Sequence, residues 1–156
     1  MIKLKDILLE AKSPSIFVPR RMEDRVERMI KNYVRNGSKG DINLSGTEGN
    51  ELIKFPEIMK GITVDGNFYC YFNKLTSLEN SPRIVTGYFN CTNNQLTSLK
   101  GAPERVGFFD CSNNQLTSLE GAPEIAFGGF ACRFNKKEFT EEDVEAVCNV
   151  NGTIYV

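Results

Sequence analysis

Four times along the chain a phenylalanine and a cysteine stand two places apart: Phe68 with Cys70, Phe89 with Cys91, Phe109 with Cys111 and Phe130 with Cys132. Polar or small residues fill the positions between, so each stretch reads as a short strand whose Phe and Cys point to one interior face. An asparagine follows three places after each cysteine, at Asn73, Asn94, Asn114 and Asn135. Leu-Thr-Ser-Leu then comes at residues 75–78, 96–99 and 116–119. Gly66, Gly87, Gly107 and Gly128 keep the same register, as do Pro82, Pro103 and Pro123. Several residue types recurring every 20 or 21 residues predict stacked coils, each adding one strand to a common sheet and one layer to a common core.

Within such a coil the asparagine ends the strand, and its amide is expected to satisfy backbone groups of adjacent coils that would otherwise be buried unpaired. Stacked, Asn73, Asn94, Asn114 and Asn135 form a structural ladder. The two leucines fill the next stretch of core, and Gly101-Ala102-Pro103 and Gly121-Ala122-Pro123 turn the chain back along the outer side. No helix-length periodic segment fits there.

Phe-x-Cys-x-x-Asn-x-Leu resembles the leucine-rich-repeat pattern Leu-x-Leu-x-x-Asn-x-Leu, with Phe and Cys in place of the first two leucines. The following Leu-Thr-Ser-Leu and the downstream proline are similar to the short repeats of bacterial effector proteins. The resemblance covers roughly residues 40–139. It implies an α+β fold class: a leucine-rich-repeat solenoid with short parallel strands, a helical N-terminal cap over 11–39 and a helix-strand C-terminal cap over 140–156.

The flanks carry their own patterns. Gly40-Asp41-Ile42-Asn43-Leu44 and Leu52-Ile53-Lys54-Phe55-Pro56 look like a degenerate first coil, broken by the polar insertion Ser45 to Asn50. Residues 19–36 place Met22, Val26, Met29, Ile30 and Tyr33 at helical spacing, with Arg20, Arg21, Arg25, Arg28, Lys31 and Arg35 around them. At the other end Thr140-Glu141-Glu142-Asp143 reads as a helix start, with Thr140 as cap and acids in the first turn. That helix is expected to bury Val144, Val147 and Cys148. Asn151-Gly152 then predicts a turn, and Thr153-Ile154-Tyr155-Val156 a closing strand.

Residues 1–10 are amphipathic, with charges interrupting the apolar positions, so they do not form a secretory apolar core. Leu8-Leu9-Glu10 followed by Ala11 resembles the capsid-targeting leaders of T-even-type phage internal head proteins, which the head maturation protease removes. An ordinary N-terminal helix is the other reading of the same ten residues. The segment from Phe139 to Val156 is similar to the ends of repeat proteins encoded by such phages.

Charge and composition narrow the chemistry. Formal net charge is -1, from 19 basic and 20 acidic residues, so no overall field draws the chain to nucleic acid or an anionic membrane. Glu23, Asp24 and Glu27 dilute the basic helix, and nucleic acid is not the expected partner. No apolar run approaches the ~20 residues that cross a bilayer. Histidine is absent, which removes the commonest general base. With no nucleophile, base and orienting group assembled in a recognisable motif, the chain is expected not to be an enzyme.

The acids Glu141, Glu142, Asp143 and Glu145 are accounted for by the helix start. The five cysteines make an odd set without a Cys-x-x-Cys motif, and four of them stack along neighbouring strands ~4.8 Å apart. A line of thiols does not give the tetrahedral convergence zinc needs, so they are expected to be buried small hydrophobes in a reducing setting, with no metal and no cofactor.

The positions alternating with Phe and Cys point the other way, onto the face expected to be concave. Across the coils they read Asn67, Tyr69, Tyr71; Tyr88, Asn90, Thr92; Phe108, Asp110, Ser112; and Ala131, Arg133. Phe72, Asn93, Asn113 and Phe134 follow at the strand exits. Aromatic residues among polar ones are expected to mark a protein-binding surface, with Tyr69, Tyr71, Tyr88, Asn90, Phe108, Asp110 and Arg133 as its contact residues and the aromatic weight on the first two strands; cross-strand stacking that simply stabilises the sheet is the other reading of the same rings. The resulting expectation is a phage-encoded module that engages or blocks a host protein in the host cytoplasm, packaged in the phage head if Leu8, Glu10 and Ala11 mark a cleavage site. The alternative is a structural or internal head component of the virion.

Overall fold

A computed structural model describes residues 22–156 of the chain. The leader expected over residues 1–10, and the start of the basic helix at Pro19, lie outside the described residues. Helix α1 runs Met22–Arg35. Its apolar stripe follows the helical period: Val26 and Ile30 are fully buried in the main core, and Met29 and Tyr33 pack against it. The end of α1 is pinned by one phenol. The Tyr33 hydroxyl donates to the Ser38 carbonyl at 2.6 Å and accepts from the Asp65 N–H at 3.1 Å.

The rest of the described chain winds into a parallel-strand solenoid. Its strands are β1 (Ile42–Asn43), β2 (Thr63–Val64), β3 (Phe68–Tyr69), β4 (Ile84–Asn90), β5 (Arg105–Asp110), β6 (Ile125–Ala131), β7 (Asn149–Val150) and β8 (Thr153–Tyr155). They form one 8-stranded sheet in the order β1-β3-β4-β5-β6-β7, with β2 on β4 and β8 on β6, all parallel. A one-turn 3-10 helix at Glu57–Met59 and a short helix α2 at Glu141–Glu145 are the other helical elements among the described residues.

Register converts the sequence period into columns. Ile42, Phe68, Phe89, Phe109, Phe130 and Ile154 stand side by side across the sheet. The phenylalanine rings pack at centroid separations of 5.2, 5.5 and 5.2 Å from Phe68 to Phe130. The cysteines form the next column, and the return wall is lined by Leu52, Leu75, Leu96 and Leu116, then Phe55, Leu78, Leu99 and Leu119, all buried.

Three expectations are corrected. The central strands begin earlier than the Gly-x-Phe-x-Cys stretch, at Ile84, Arg105 and Ile125, and add a further buried column of Val64, Val85, Val106 and Ala126. The two columns are joined through a register shift near the glycines. A Cβ on Gly107 would lie 2.6 Å from the Gly87 carbonyl oxygen, so the strands approach there only without side chains.

Second, the turn expected at Asn151-Gly152 is only a bend between two stretches of strand that keep one direction. Both β7 and β8 run parallel to β6, so the closing segment is one more strand of the stack, broken where β6 is irregular. Third, Val147 is 39% exposed. Thr140 caps α2 as expected, accepting from the Asp143 N–H at 3.2 Å while the Asp143 carboxylate accepts from the Thr140 N–H at 3.0 Å. The helix ends at Glu145, however, so helical spacing no longer places Val147 beside buried Val144; Cys148 is buried as the chain enters β7.

Candidate functional site

The outward face of the sheet is built by the residues that alternate with the core columns, and the expected contact residues Tyr69, Tyr71, Tyr88, Asn90, Phe108, Asp110 and Arg133 come together on it. Tyr69, Asn90 and Asp110 are neighbours across β3, β4 and β5, and Tyr88 faces Phe108 across β4 and β5. Their rings make a ridge. Tyr71 meets Tyr69 edge-on at 6.3 Å, Tyr69 lies 6.3 Å from Tyr88, and Tyr88 lies 5.2 Å from Phe108.

The ridge does not stop at the first strands, where the sequence pattern places its weight. Phe108 continues to Tyr155 on β8 at 6.0 Å, and the Arg133 guanidinium sits 5.0 Å above the Tyr155 ring. Gly129 makes the span possible. It occupies the place opposite Phe108 on β6, and a Cβ there would lie 2.7 Å from the Phe108 ring edge. Ala131, next to Tyr155 in register, keeps the same gap open. Tyr155 is absent from the contact set expected from sequence because α2 replaces the usual return of the coil, so the 20-residue count no longer reaches it.

Polar residues hold the ridge in place. The Tyr88 hydroxyl donates to the Asp110 carboxylate at 2.7 Å, and the other Asp110 oxygen accepts from the Ser112 N–H at 3.0 Å. On the preceding strand Asn90 is a similar support, accepting from the N–H and hydroxyl of Thr92 at 3.1 and 2.8 Å. Burial, then the Asp110 hydrogen bond, push the Tyr88 phenol well above its ordinary titration range. It therefore stays a neutral donor to the Asp110 carboxylate.

At the strand exits Phe72, Asn93, Asn113 and Phe134 all have φ between 54 and 56°. Asparagine tolerates this left-handed conformation, whereas a bulky residue is strained in it by about 1–3 kcal/mol. Phe72 and Phe134 are also 58% and 77% exposed. Phe72 lies 5.4 Å from Tyr71 and extends the ridge at its first end.

Beneath the face runs the asparagine ladder. The Asn94 amide donates to the carbonyls of Cys70 and Cys91 at 2.9 and 3.1 Å, and its oxygen accepts from the Leu75 N–H at 3.1 Å. Asn73, Asn114 and Asn135 repeat the arrangement, each tying its own coil to the one before. The face is therefore a rigid platform.

The thiols pack as a buried line. Cys70, Cys91 and Cys111 donate from Sγ to the carbonyls of Asn90, Asp110 and Ala131 at 3.2 to 3.4 Å. Among the described residues no group of three or more His, Cys, Asp or Glu is placed to hold a metal, and no helix is long and apolar enough to cross a membrane.

Burial pushes all five thiols up, Cys132 and Cys148 from 9.0 to about 11 and the other three further. Two results follow. A thiol reagent at pH 8 should find no fast-reacting cysteine in the folded chain and five in denaturant. Because the folded state holds these protons more tightly than the unfolded chain, stability is fully present below the unfolded thiol value and falls as pH rises from about 8.5 toward 11 and beyond. Urea midpoints measured across that range would check the sign.

Comparison of the chain with protein-family models, with curated proteins and with solved structures finds no match.

Proposed function

We propose that this chain is a non-catalytic protein-binding module: a leucine-rich-repeat solenoid of T-even-type phage origin, with α1 and the α2–β8 segment as its end caps, that engages a host protein through the outward sheet face. The observation that carries the reading is the ridge from Tyr71 through Tyr69, Tyr88 and Phe108 to Tyr155, half-exposed and held by hydrogen bonds on a rigid sheet. Tyrosine and phenylalanine on stiff backbone give large apolar contact with little rotamer entropy left to lose, and the polar hydroxyls suit a surface that is wet before binding.

Affinity capture from a host lysate, run in parallel with the unaltered chain and with Tyr69, Tyr71 and Tyr88 all changed to Ala, tests it. A partner retained by the first and lost by the second is expected. The same partners on both would count against the sheet face.

A second reading follows from Leu8-Leu9-Glu10 and Ala11, the residues that resemble a capsid-targeting leader: a structural or internal component of the phage head. Mass spectrometry of purified particles separates the two. A peptide beginning at Ala11 supports packaging and leader removal; absence of the chain from particles leaves a free host-cytoplasmic binder.

A further inference from the structure

The two ends of the stack are finished differently. At the first, β1 is only two residues long, Lys39 and Asp41 stand beside it, and Arg25, Val26 and Met29 of α1 line one cleft with Asn43 and Leu44. At the other, β8 is hydrogen-bonded to β6 alone among the described residues. The Asn151 N–H donates to the Ala126 carbonyl and the Cys132 N–H to the Tyr155 carbonyl, both at 3.0 Å. In a parallel ladder successive residues turn their backbone groups to opposite sides, so Gly152 and Ile154 present theirs to the edge on which the described residues place no further strand.

Along the strand itself that edge carries neither of the side-chain guards, charge or proline. From Ala146 to Val156 there is no charged side chain and no proline, whereas edge strands are normally blunted by Lys, Pro or an inward charge. Val150 and Ile154 are only partly buried at this end of the core. Of the eight exposed large hydrophobics among the described residues, Val147, Tyr155 and Val156 belong to this last coil, and Phe127 and Phe134 to the β6 coil beside it.

We propose that two copies of this chain join through β8, antiparallel about a two-fold axis at Ile154. In that register the Ile154 N–H and C=O of each copy pair with those of the other, the hydrogen-bonded pair of an antiparallel ladder. A two-fold contact requires a patch that complements itself, and an uncharged strand meets its own copy without like charges in contact. Head-to-tail stacking would need the first end free, and α1 lies there. The joined sheet brings Tyr155 of each copy to the seam, so the two aromatic ridges become one continuous face.

Sedimentation velocity of the full chain over a range of concentrations tests the proposal independently of any host partner. The expected species has twice the chain mass of 17.5 kDa, and Ile154→Lys and Ile154→Pro each return it to the monomer while Tyr69→Ala does not. A monomer at high micromolar concentration overturns the proposal, as does a dimer that survives both changes in variants shown folded by circular dichroism. Amide exchange at Ile154 in the unaltered chain keeps the test decisive if the variants unfold. Exchange that slows as concentration rises supports the pairing; exchange independent of concentration, including protection by the chain's own residues 1–21, contradicts it.

Discussion

Asn94→Ala is expected to lower the unfolding free energy by about 3–5 kcal/mol, one of the two largest losses among single substitutions in the solenoid. The Asn94 side chain is buried and serves backbone groups of two coils at once, chief among them the carbonyls of Cys70 and Cys91 and the N–H of Leu75. Alanine leaves the Leu75 N–H without a partner, at about 1–3 kcal/mol, and takes from the Cys70 and Cys91 carbonyls one of their two amide donors, about 0.5–1.5 kcal/mol each, since Asn73 and Asn114 still donate to them. The loss also falls on coupling, because the three groups lie on two successive coils and solenoid stability depends on nearest-neighbour interfaces. Urea unfolding followed by circular dichroism should show a lower midpoint. Asn94→Asp should be no milder, since a carboxylate has nothing to donate to two carbonyls. Its neighbour Asn93 is exposed and makes no ladder contact, so Asn93→Ala should cost only about 1 kcal/mol, from the left-handed backbone.

Phe89→Ala should be of comparable size, about 3–5 kcal/mol. The ring has no solvent exposure and stacks between Phe68 at 5.2 Å and Phe109 at 5.5 Å, nearly parallel to both. Removing it deprives two rings of a packing face and leaves a void that the hydrogen-bonded sheet above cannot easily collapse into. Phe89→Leu should recover much of the loss, because most of the volume returns. The same denaturation measurement applies.

The columns of Phe, Cys, Asn and Leu are legible in the sequence because each is chemically demanding. Interior positions need apolar side chains, and the ladder needs a group that both donates and accepts, so the same residue types recur at one spacing. The Val64, Val85, Val106 and Ala126 column recurs just as regularly, and in three of the four coils it stands four places before the phenylalanine, where alternation already puts both inside; only the Val106 coil obscures it. Val106 and Phe109 are three places apart, and strict alternation cannot put both inside; only the irregularity at Gly107 does so. Tyr155 is hidden for another reason, since its place in the ridge depends on what Gly129 and Ala131 lack. Val147 is misplaced by helical spacing carried past Glu145, beyond the end of α2.

The roles of the contact residues are legible only in outline. Alternation identifies Tyr69, Tyr88, Asn90, Phe108 and Asp110 as outward-facing. It does not reveal that Asn90 and Asp110 commit some of their hydrogen-bonding capacity to Thr92, Ser112 and Tyr88, which makes them supports of the ridge as well as members of its surface.

The central claim is that the outward sheet face is the surface that holds a protein partner. Site-specific photo-crosslinking tests it most directly, with benzoylphenylalanine placed singly at Tyr69, Tyr88 and Tyr155 on that face and at exposed Thr97 and Thr117 on the return wall. Adducts to one partner from the three face positions and none from the threonines is the predicted result; adducts from Thr97 or Thr117 with none from the face would contradict it.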